Sequence, residues 1–241
     1  MNVIVVLLSL LLTFVMQTGR LTSSSTASFR LRYDRSVTAK DADITGKKLD
    51  AQYEKLKVRL HRSLGNHPDV FLFKSIGQMR KDSKTELFDD GVYKNGKMYL
   101  LTSAVMKDEK QFERTCTRLT SRAILSSVRS CPPWLAEAMS LFFSGELRRF
   151  GSPAQLHIAS FADLSEEFAR SESARDQQEV YAKLSSTAAF LIHRYGEEKV
   201  LSAVSKFKPG VTVEDVFTKS FGEKMDVIEQ AWVRVLAEPI E

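Results

Sequence analysis

The stretch PPWLAEA, residues 132–138, marks the start of a helix around which the rest of the chain can be arranged. Proline suits the first turn of a helix, because its missing N–H needs no partner there. The helical pattern that follows predicts a helix from the two prolines to about residue 147. Trp134 and Leu135 are predicted core residues, since large apolar side chains pack inside a domain. Glu137 lies near the helix N-terminus, where the helix dipole favours an acid.

Upstream of this stretch the pattern changes from strands to helices. Short apolar or alternating runs predict strands over 29–33, 70–73 and 97–103, and apolar residues at helical spacing predict a long helix over 39–64. Another helix, over 108–128, precedes PPWLAEA. Downstream helices are predicted over 161–170, 174–195, 197–207, 213–221 and 224–237. Strands first and helices after predict an α+β fold, with a small N-terminal mixed sheet packed on a mainly helical C-terminal lobe.

The N-terminal segment is typical of an export signal. Residues 1–19 carry no charged side chain, and the apolar run 3–16 is broken only by one serine and one threonine. This run matches the apolar region of a secretory signal and is short for a spanning helix, which needs about 20 apolar residues. We expect residues 1–19 to be a signal peptide or membrane anchor, 20–28 a Ser/Thr-rich linker and 29–241 the folded domain. A buried first helix of the fold is the alternative.

An export signal has consequences for location and processing. The best candidate for a cleavage site is Thr26-Ala27-Ser28, which lies rather far from the apolar run. The protein is then exported, and is secreted, periplasmic or membrane-anchored. If the N-terminal segment is not cleaved, it also contacts the membrane.

Composition limits the classes of partner. The chain has 241 residues, 43% of them hydrophobic and 27% charged, which is ordinary for a folded soluble protein. The net charge of +5 is a modest basic excess that could favour contact with anionic lipid or cell-wall polymers. Nucleic-acid binding needs a concentrated basic patch interleaved with aromatic residues. The sequence shows none, so a nucleic acid is not an expected partner.

The two cysteines, Cys116 and Cys131, are expected to be free and mostly buried. A helix between them would separate their Cα atoms by about 22 Å at 1.5 Å per residue. A disulfide needs Cα atoms within about 7 Å. The two thiols could pair only if the helix ended early and the chain turned back. Cys116 has no histidine nearby in sequence to activate it as a nucleophile.

Three local sequences carry a family resemblance. PPWLAEA resembles the segment P-x-W-L-x-E-G; residues 181–196 resemble a long helix that often closes in Y-G; and residues 216–232 resemble the closing F-x-x-x-F-G … W. These motifs, in this order, belong to peptidase MA-like domains, the gluzincin group of thermolysin-type zinc metallopeptidases. The resemblance covers about residues 29–236. It implies a gluzincin-like fold in which Glu137 has the position of the third zinc ligand.

The resemblance fails at the chemistry. Active members carry H-E-x-x-H on the helix before W-L-x-E, because two histidines four residues apart bind zinc from one helix face and the glutamate serves as general base. The resemblance puts Thr117 and Ser121 at the two histidine positions and Arg118 at the position of the general base. Hydroxyls are poor zinc ligands, and a guanidinium stays cationic and accepts no proton. We therefore expect a degenerate motif without catalytic residues.

Several alternatives remain open for the predicted site. Glu137 could still hold a metal or a ligand. Alternatively, it is only an acid that the dipole of its helix favours at this position. Zinc is expected only if the site is rebuilt, for example with His157 and His193; otherwise no cofactor is expected. The arginines of the 108–128 helix are expected to form a solvated basic face, and the alternative is that Arg118 points into the cleft and binds an anion. The four arginines of this face are Arg114, Arg118, Arg122 and Arg129.

The resemblance also implies where a partner binds. In the family a peptide lies along the edge strand beside the active-site helix, and this strand is predicted here as 97–103. The predicted binding residues are Met98, Tyr99, Leu100, Arg118 and Glu137. The leading hypothesis is a non-catalytic peptidase-like module of the cell envelope that binds an extended peptide or an envelope protein. The alternatives are a metallopeptidase or other hydrolase with a rebuilt metal site and a structural accessory protein of an envelope complex.

Overall fold

A computed structural model describes residues 21–85, 88, 90–147, 160–171 and 173–237, and these form an α+β fold as predicted. The predicted signal segment and His157 lie outside the described residues. The strands are β1 (Thr22–Ser25), β2 (Arg30–Tyr33), β3 (Asp69–Phe73), β4 (Gly91–Lys94) and β5 (Lys97–Leu101). The helices are α1 (Ala39–Leu60), α2 (Ile76–Ser83), α3 (Ser103–Met106), α4 (Glu109–Ser126), α5 (Pro133–Ser144), α6 (Phe161–Arg170), α7 (Ala174–Tyr195), α8 (Glu197–Val204), α9 (Val213–Phe221) and α10 (Met225–Ala237).

The five strands form one mixed sheet in the order β1-β2-β3-β5-β4. β3 is parallel to β2 and to β5, whereas β1 and β4 run antiparallel to their neighbours. The prediction that 97–103 is an edge strand is therefore wrong. A two-residue turn, Asn95 and Gly96, both at positive φ, folds β4 back along the outer side of β5. The edges of the sheet are β1 and β4.

The predicted linker over 20–28 is also wrong for Thr22–Ser25, because these residues pair with β2 as an edge strand. The turn that follows is held by one carboxylate of α1. Asp50 Oδ1 accepts from the Thr26 hydroxyl at 2.9 Å and from Ser28 N–H at 3.1 Å, and Asp50 Oδ2 accepts from Ala27 N–H at 3.2 Å. The folded domain therefore begins before residue 29.

The helical predictions agree closely with the structure. α5 begins at Pro133 and ends before Gly145, whose positive φ of 71° closes the helix. α1 ends at Leu60, earlier than predicted, because His61 adopts a left-handed conformation. Trp134 and Leu135 are buried as predicted. No helix of the described part of the chain is both long and apolar enough to cross a membrane.

A stack of aromatic rings joins the C-terminal helices to α5. The ring of Phe161 lies 5.3 Å from that of Trp134 and 4.8 Å from that of Trp232, in stacked geometry in both cases. All three side chains are almost fully buried. Burial of large aromatic side chains dominates the energetics of a core, so this stack fixes α5 relative to α6 and α10. α4 and α5 pack against one another, and β4 lies beside α4.

Candidate functional site

Five buried charged side chains meet where α4, α5 and the edge strand β4 come together, and we call them the ion network. α4 contributes Arg118 and Arg122, α5 contributes Glu137, and the residues next to β4 and α5 contribute Asp90 and Glu146. Arg118 is 1% exposed and the other four are at most 9% exposed. Buried charges persist only where they are paired and hydrogen-bonded. The contacts of each member therefore define the site.

Arg118 lies at the centre of the ion network. Its Nε donates to Glu146 Oε2 at 2.6 Å, and its Nη2 donates to Asp90 Oδ1 and to the Gly91 carbonyl, both at 3.0 Å. The ring of Phe88 covers the guanidinium, with 3.9 Å from Cζ to the ring centroid. Such charge-assisted bonds fix both orientation and distance. Arg118 thus ties α4 to the end of α5 and to the start of β4.

The carboxylates that hold Arg118 are themselves oriented by neighbours. The Thr115 hydroxyl donates to Asp90 Oδ2 at 3.0 Å, and Gly91 N–H lies 2.8 Å from Asp90 Oδ1. The Ser144 hydroxyl lies 3.3 Å from Glu146 Oε2. Because these contacts satisfy further acceptor positions, both carboxylates are fixed in orientation beside the arginine.

Arg122, one helical turn after Arg118, holds the glutamate of PPWLAEA. Its Nε donates to Glu137 Oε2 at 2.7 Å, and its Nη1 donates to the Ser126 hydroxyl at 2.5 Å. The guanidinium also lies 5.5 Å from the ring centroid of Tyr93 on β4. The Tyr181 hydroxyl of α7 is hydrogen-bonded to Glu137. Glu137 therefore has partners on two other helices.

The surroundings of the site raise the pKa of two of its groups, Arg118 and Tyr181. Burial by itself would lower the pKa of Arg118, but Glu146, Asp90 and Glu137 together raise it above its ordinary value. Burial, and after it the charge of Glu137, raise the pKa of Tyr181 well above its ordinary value of 10.0. Both groups are therefore fully protonated at neutral pH, and neither is a general base there.

Thr117 and Ser121, which the resemblance assigns to the histidine positions, do not join the ion network. The Thr117 hydroxyl donates to the Glu113 carbonyl at 2.8 Å and lies 3.3 Å from Gln52 Oε1 of α1. The Ser121 hydroxyl donates to the carbonyls of Thr117 and Arg118. The side chains four residues apart that turn to the carboxylates are those of Arg118 and Arg122.

The prediction of a solvated basic face on α4 is correct for only two of its four arginines. Arg114 and Arg129 are exposed, whereas Arg118 and Arg122 are buried. The alternative prediction, that Arg118 points inward to an anion, agrees with the geometry, but its anions are carboxylates of the same chain. Charge spacing on α4 alone could not show this, because both carboxylates lie 28 positions away along the sequence.

The predicted peptide-binding residues on β5 are not available for binding along a strand edge. Met98 and Leu100 are fully buried in the core, and Tyr99 stacks on Phe71 with 5.4 Å between the ring centroids. β5 pairs with β3 on one side and with β4 on the other. Its backbone is therefore already used within the sheet.

The edge strand β4 is closed where it meets α4. A Cβ atom at Gly91 would lie 2.9 Å from the Tyr99 carbonyl oxygen, 3.0 Å from Leu119 Cδ1 and 3.1 Å from Thr115 Cγ2. Only glycine fits such a close approach. The Gly91 carbonyl is occupied by Arg118. The part of β4 nearest the ion network is therefore covered by the chain itself.

The remaining candidate residues form no second centre in the described part of the chain. No three His, Cys, Asp or Glu side chains among the described residues are grouped so that they could hold a metal. His193 is exposed near the end of α7. Both cysteines are free, as predicted. Burial raises the pKa of Cys131 to about 12 and raises that of the fully buried Cys116 as well, so neither is a thiolate nucleophile at neutral pH.

Comparison with protein-family models gives a match. Residues 113–238, more than half of the chain, match the family model described as the Peptidase MA superfamily. The match runs from within α4 to the end of the described chain, and so includes both helices that carry Arg118, Arg122 and Glu137. No curated protein matches the chain.

Proposed function

Because the chain belongs to the peptidase MA superfamily, we propose that it is a non-catalytic member of that superfamily that acts in peptide or protein binding. The observation that carries this proposal is the ion network, in which Arg122 pairs with the glutamate of PPWLAEA and Arg118 is near enough for the two charges to interact. Export through residues 1–19 and a place in the cell envelope are part of the proposal and rest on the sequence of that segment.

The residues of the ion network do not fit the zinc ion that the superfamily implies. Zinc needs ligands with a free electron pair, supplied by neutral histidine, thiolate or carboxylate. A guanidinium has no acceptor atom and repels a dication. Arg122 Nε lies 2.7 Å from Glu137 Oε2 and so occupies one of the two carboxylate oxygens that could bind a metal. The residues of the ion network therefore do not form a zinc site.

The positions of the two arginines suggest how the metal site was replaced. Residues four apart on one helix face converge on one point, as the two histidines of H-E-x-x-H do. Arg118 and Arg122 have this spacing, and both turn to buried carboxylates. Arg118 pairs with Asp90 and Glu146, and Arg122 pairs with Glu137. We infer that they, rather than Thr117 and Ser121, occupy the two ligand positions. The general-base position then falls on Leu119, which is apolar and buried.

The charge of the two arginines also favours their assignment to the two ligand positions. Two guanidiniums bring two positive charges to Glu137 and its neighbours, which is the charge that a zinc ion would bring. They can therefore stabilise buried carboxylates and join α4 to α5 without any catalytic chemistry. The scaffold is retained, while the group that would activate water is absent from the described helices.

A hydrolysis assay tests the proposal. The full chain, incubated with zinc and a mixture of peptides of varied sequence, is expected to release no more products than a peptide-only blank. Glu137→Gln is the matched control variant, because it removes the carboxylate of the ion network with little change in shape. Hydrolysis by the wild-type chain that disappears in Glu137→Gln would contradict the proposal.

A pair of double variants tests the inferred ligand positions. Arg118→His with Arg122→His should create a His-Glu-His set that binds about one zinc ion per chain. Thr117→His with Ser121→His is the matched control and should bind none, because those side chains bond carbonyls of their own helix and do not join the ion network. Zinc content and the rise in melting temperature with zinc are measured for folded protein only, as judged by circular dichroism. Zinc binding by the second double variant alone would reverse the assignment.

A further inference from the structure

We propose that the N-terminal apolar run is not cut from the domain, because every suitable cleavage pattern that follows it lies inside the fold. This inference rests on the export that is part of the proposed function, and it concerns how the exported chain is processed. A signal peptidase requires small residues at the third and first positions before the bond that it cuts. The residues that offer this pattern can be compared directly with the structure.

After the apolar run, the cleavage pattern occurs in one short stretch. Residues 17–28 read QTGRLTSSSTAS, and two small residues separated by one other residue occur only within 22–28. Between 17 and 23, each pair of residues with this spacing contains a glutamine, an arginine or a leucine. Every cut at such a pattern therefore falls between Ser24 and Phe29.

These cuts remove β1 in whole or in large part. Thr26 N–H donates to the Phe29 carbonyl at 2.9 Å, so residues 26 and 29 form a hydrogen-bonded pair of the antiparallel ladder. Such pairs alternate along antiparallel strands, so the pair of Ser24 with Leu31 is also of the hydrogen-bonded kind. A cut chain would lose these bonds and leave β2 as a new edge of the sheet.

The turn after β1 is joined to α1 by Asp50. Its carboxylate accepts hydrogen bonds from the Thr26 hydroxyl and from the N–H groups of Ala27 and Ser28, at 2.9, 3.2 and 3.1 Å. Hydrogen bonds to a charged acceptor are stronger than those between neutral groups. The residues that form the best cleavage pattern in the sequence are thus the ones that Asp50 holds.

Thr26 also packs on α1 and supports the first core residue of the sheet. A Cβ atom at Gly46 would lie 2.5 Å from Thr26 Cγ2, so this methyl group lies directly on the backbone of α1. The Thr26 hydroxyl oxygen accepts from Phe29 N–H at 3.0 Å, and the Phe29 side chain is fully buried. Residues that are removed with a signal contribute nothing to a mature fold, whereas these residues hold the sheet to α1.

An alanine variant of Asp50 tests whether the turn is part of the fold. Asp50→Ala removes the acceptor of three hydrogen bonds and should lower the melting temperature of the full chain by several degrees. Asp43→Ala on the same helix is the matched control, because Asp43 forms an exposed pair with Lys47 and its loss should leave the melting temperature nearly unchanged. Equal melting temperatures of the two variants would overturn the inference.

N-terminal sequencing and intact mass of the product test the processing itself. The full chain is expressed with its own N-terminal segment in a secreting host, and the product should keep the apolar run 3–16. Gln17→Ala with Gly19→Ala is the matched control, because it places a cleavage pattern before β1. This double variant should be cut to begin at Arg20 and should retain the fold, as judged by circular dichroism.

The two products separate failure of the inference from failure of the proposed export. A wild-type product that begins anywhere between Gln17 and Phe29 would overturn the inference, and it would leave export standing. Cleavage of the double variant alone would support both. If neither chain is cut, the retained segment agrees with the inference, but export through residues 1–19 would be contradicted.

Discussion

At the scale of single residues, Arg118 illustrates two different energies of a buried ion pair. The net stability that the intact pair contributes is small, whereas the stability lost when one partner is removed is large. Moving charges out of water is costly, and replacing a whole buried pair by apolar residues can even stabilise a protein. Removing one partner leaves the other charge buried and unpaired. Asp90 and Glu146 would both be left in that condition without Arg118, since they are 2% and 7% exposed.

We therefore expect Arg118→Met to lower the free energy of unfolding by about 3–5 kcal/mol. The control is Arg114→Met on the same helix, which changes an exposed arginine and should stay within about 0.5 kcal/mol of the wild-type chain. Urea denaturation followed by circular dichroism measures both. Equal stability of the two variants would show that the ion network does not hold α4, α5 and β4 together.

Tyr181 makes a second prediction, for alkaline pH. Its pKa is raised in the fold by burial and then by Glu137, so the folded chain keeps the proton at a pH at which the unfolded chain has lost it. The stabilising contribution is complete below the unfolded pKa of about 10 and decreases as the pH rises above it. The wild-type chain should lose stability more steeply than Tyr181→Phe between about pH 10 and 11. Parallel curves of melting temperature against pH would contradict this.

The sequence could identify Glu137 but not the residues that bind it. The motif PPWLAEA points to this glutamate by its resemblance to a ligand position. Arg122 follows from the geometry of α4, whereas Tyr181, which is hydrogen-bonded to Glu137, comes from a distant helix. Asp90, which binds Arg118, lies just before β4. No local sequence pattern predicts such contacts, because they depend on tertiary packing. The one-residue shift from Thr117 and Ser121 to Arg118 and Arg122 could be inferred only from the direction of the side chains.

At the scale of elements, helices were more predictable than edge strands. The helical periods of 161–170 and 174–195 give α6 and α7 with the predicted bounds. β1 was missed because a Ser/Thr run is equally typical of a linker, and its pairing depends on Asp50 more than twenty residues away. β4 was missed because it has only four residues in a polar, turn-rich segment. Whether such a short segment forms a strand depends on the strands that it pairs with more than on its own sequence pattern.

The register of β1 can be tested with two prolines at adjacent positions. Ser24 pairs with Leu31 and turns its N–H toward β2, so Ser24→Pro should lower the free energy of unfolding by about 1–3 kcal/mol. Ser25→Pro removes an outward N–H and should change it by no more than about 0.5 kcal/mol. Urea denaturation compares the two variants. A larger loss for Ser25→Pro would show that the register is the reverse, with the N–H of Ser25 bonded to β2.

At the scale of the whole molecule, the chain belongs to the peptidase MA superfamily, and we propose that its ion network takes the place of a metal centre. The match to the superfamily covers α4 through α10, and the aromatic stack of Trp134, Phe161 and Trp232 holds these helices to α5. The ion network then joins this helical lobe to the sheet through Asp90 and Gly91. Conservation of a fold does not imply conservation of an activity, so the site decides the function.

The most direct measurement is the zinc content of the purified full chain, by elemental mass spectrometry, after incubation with zinc and removal of the excess. Arg118 and Arg122 leave Glu137 as the only ligand-type side chain at the positions that resemble the superfamily's zinc site, so we predict no bound zinc. About one zinc ion per chain, lost in Glu137→Ala, would contradict the account and show that the chain has a metal centre.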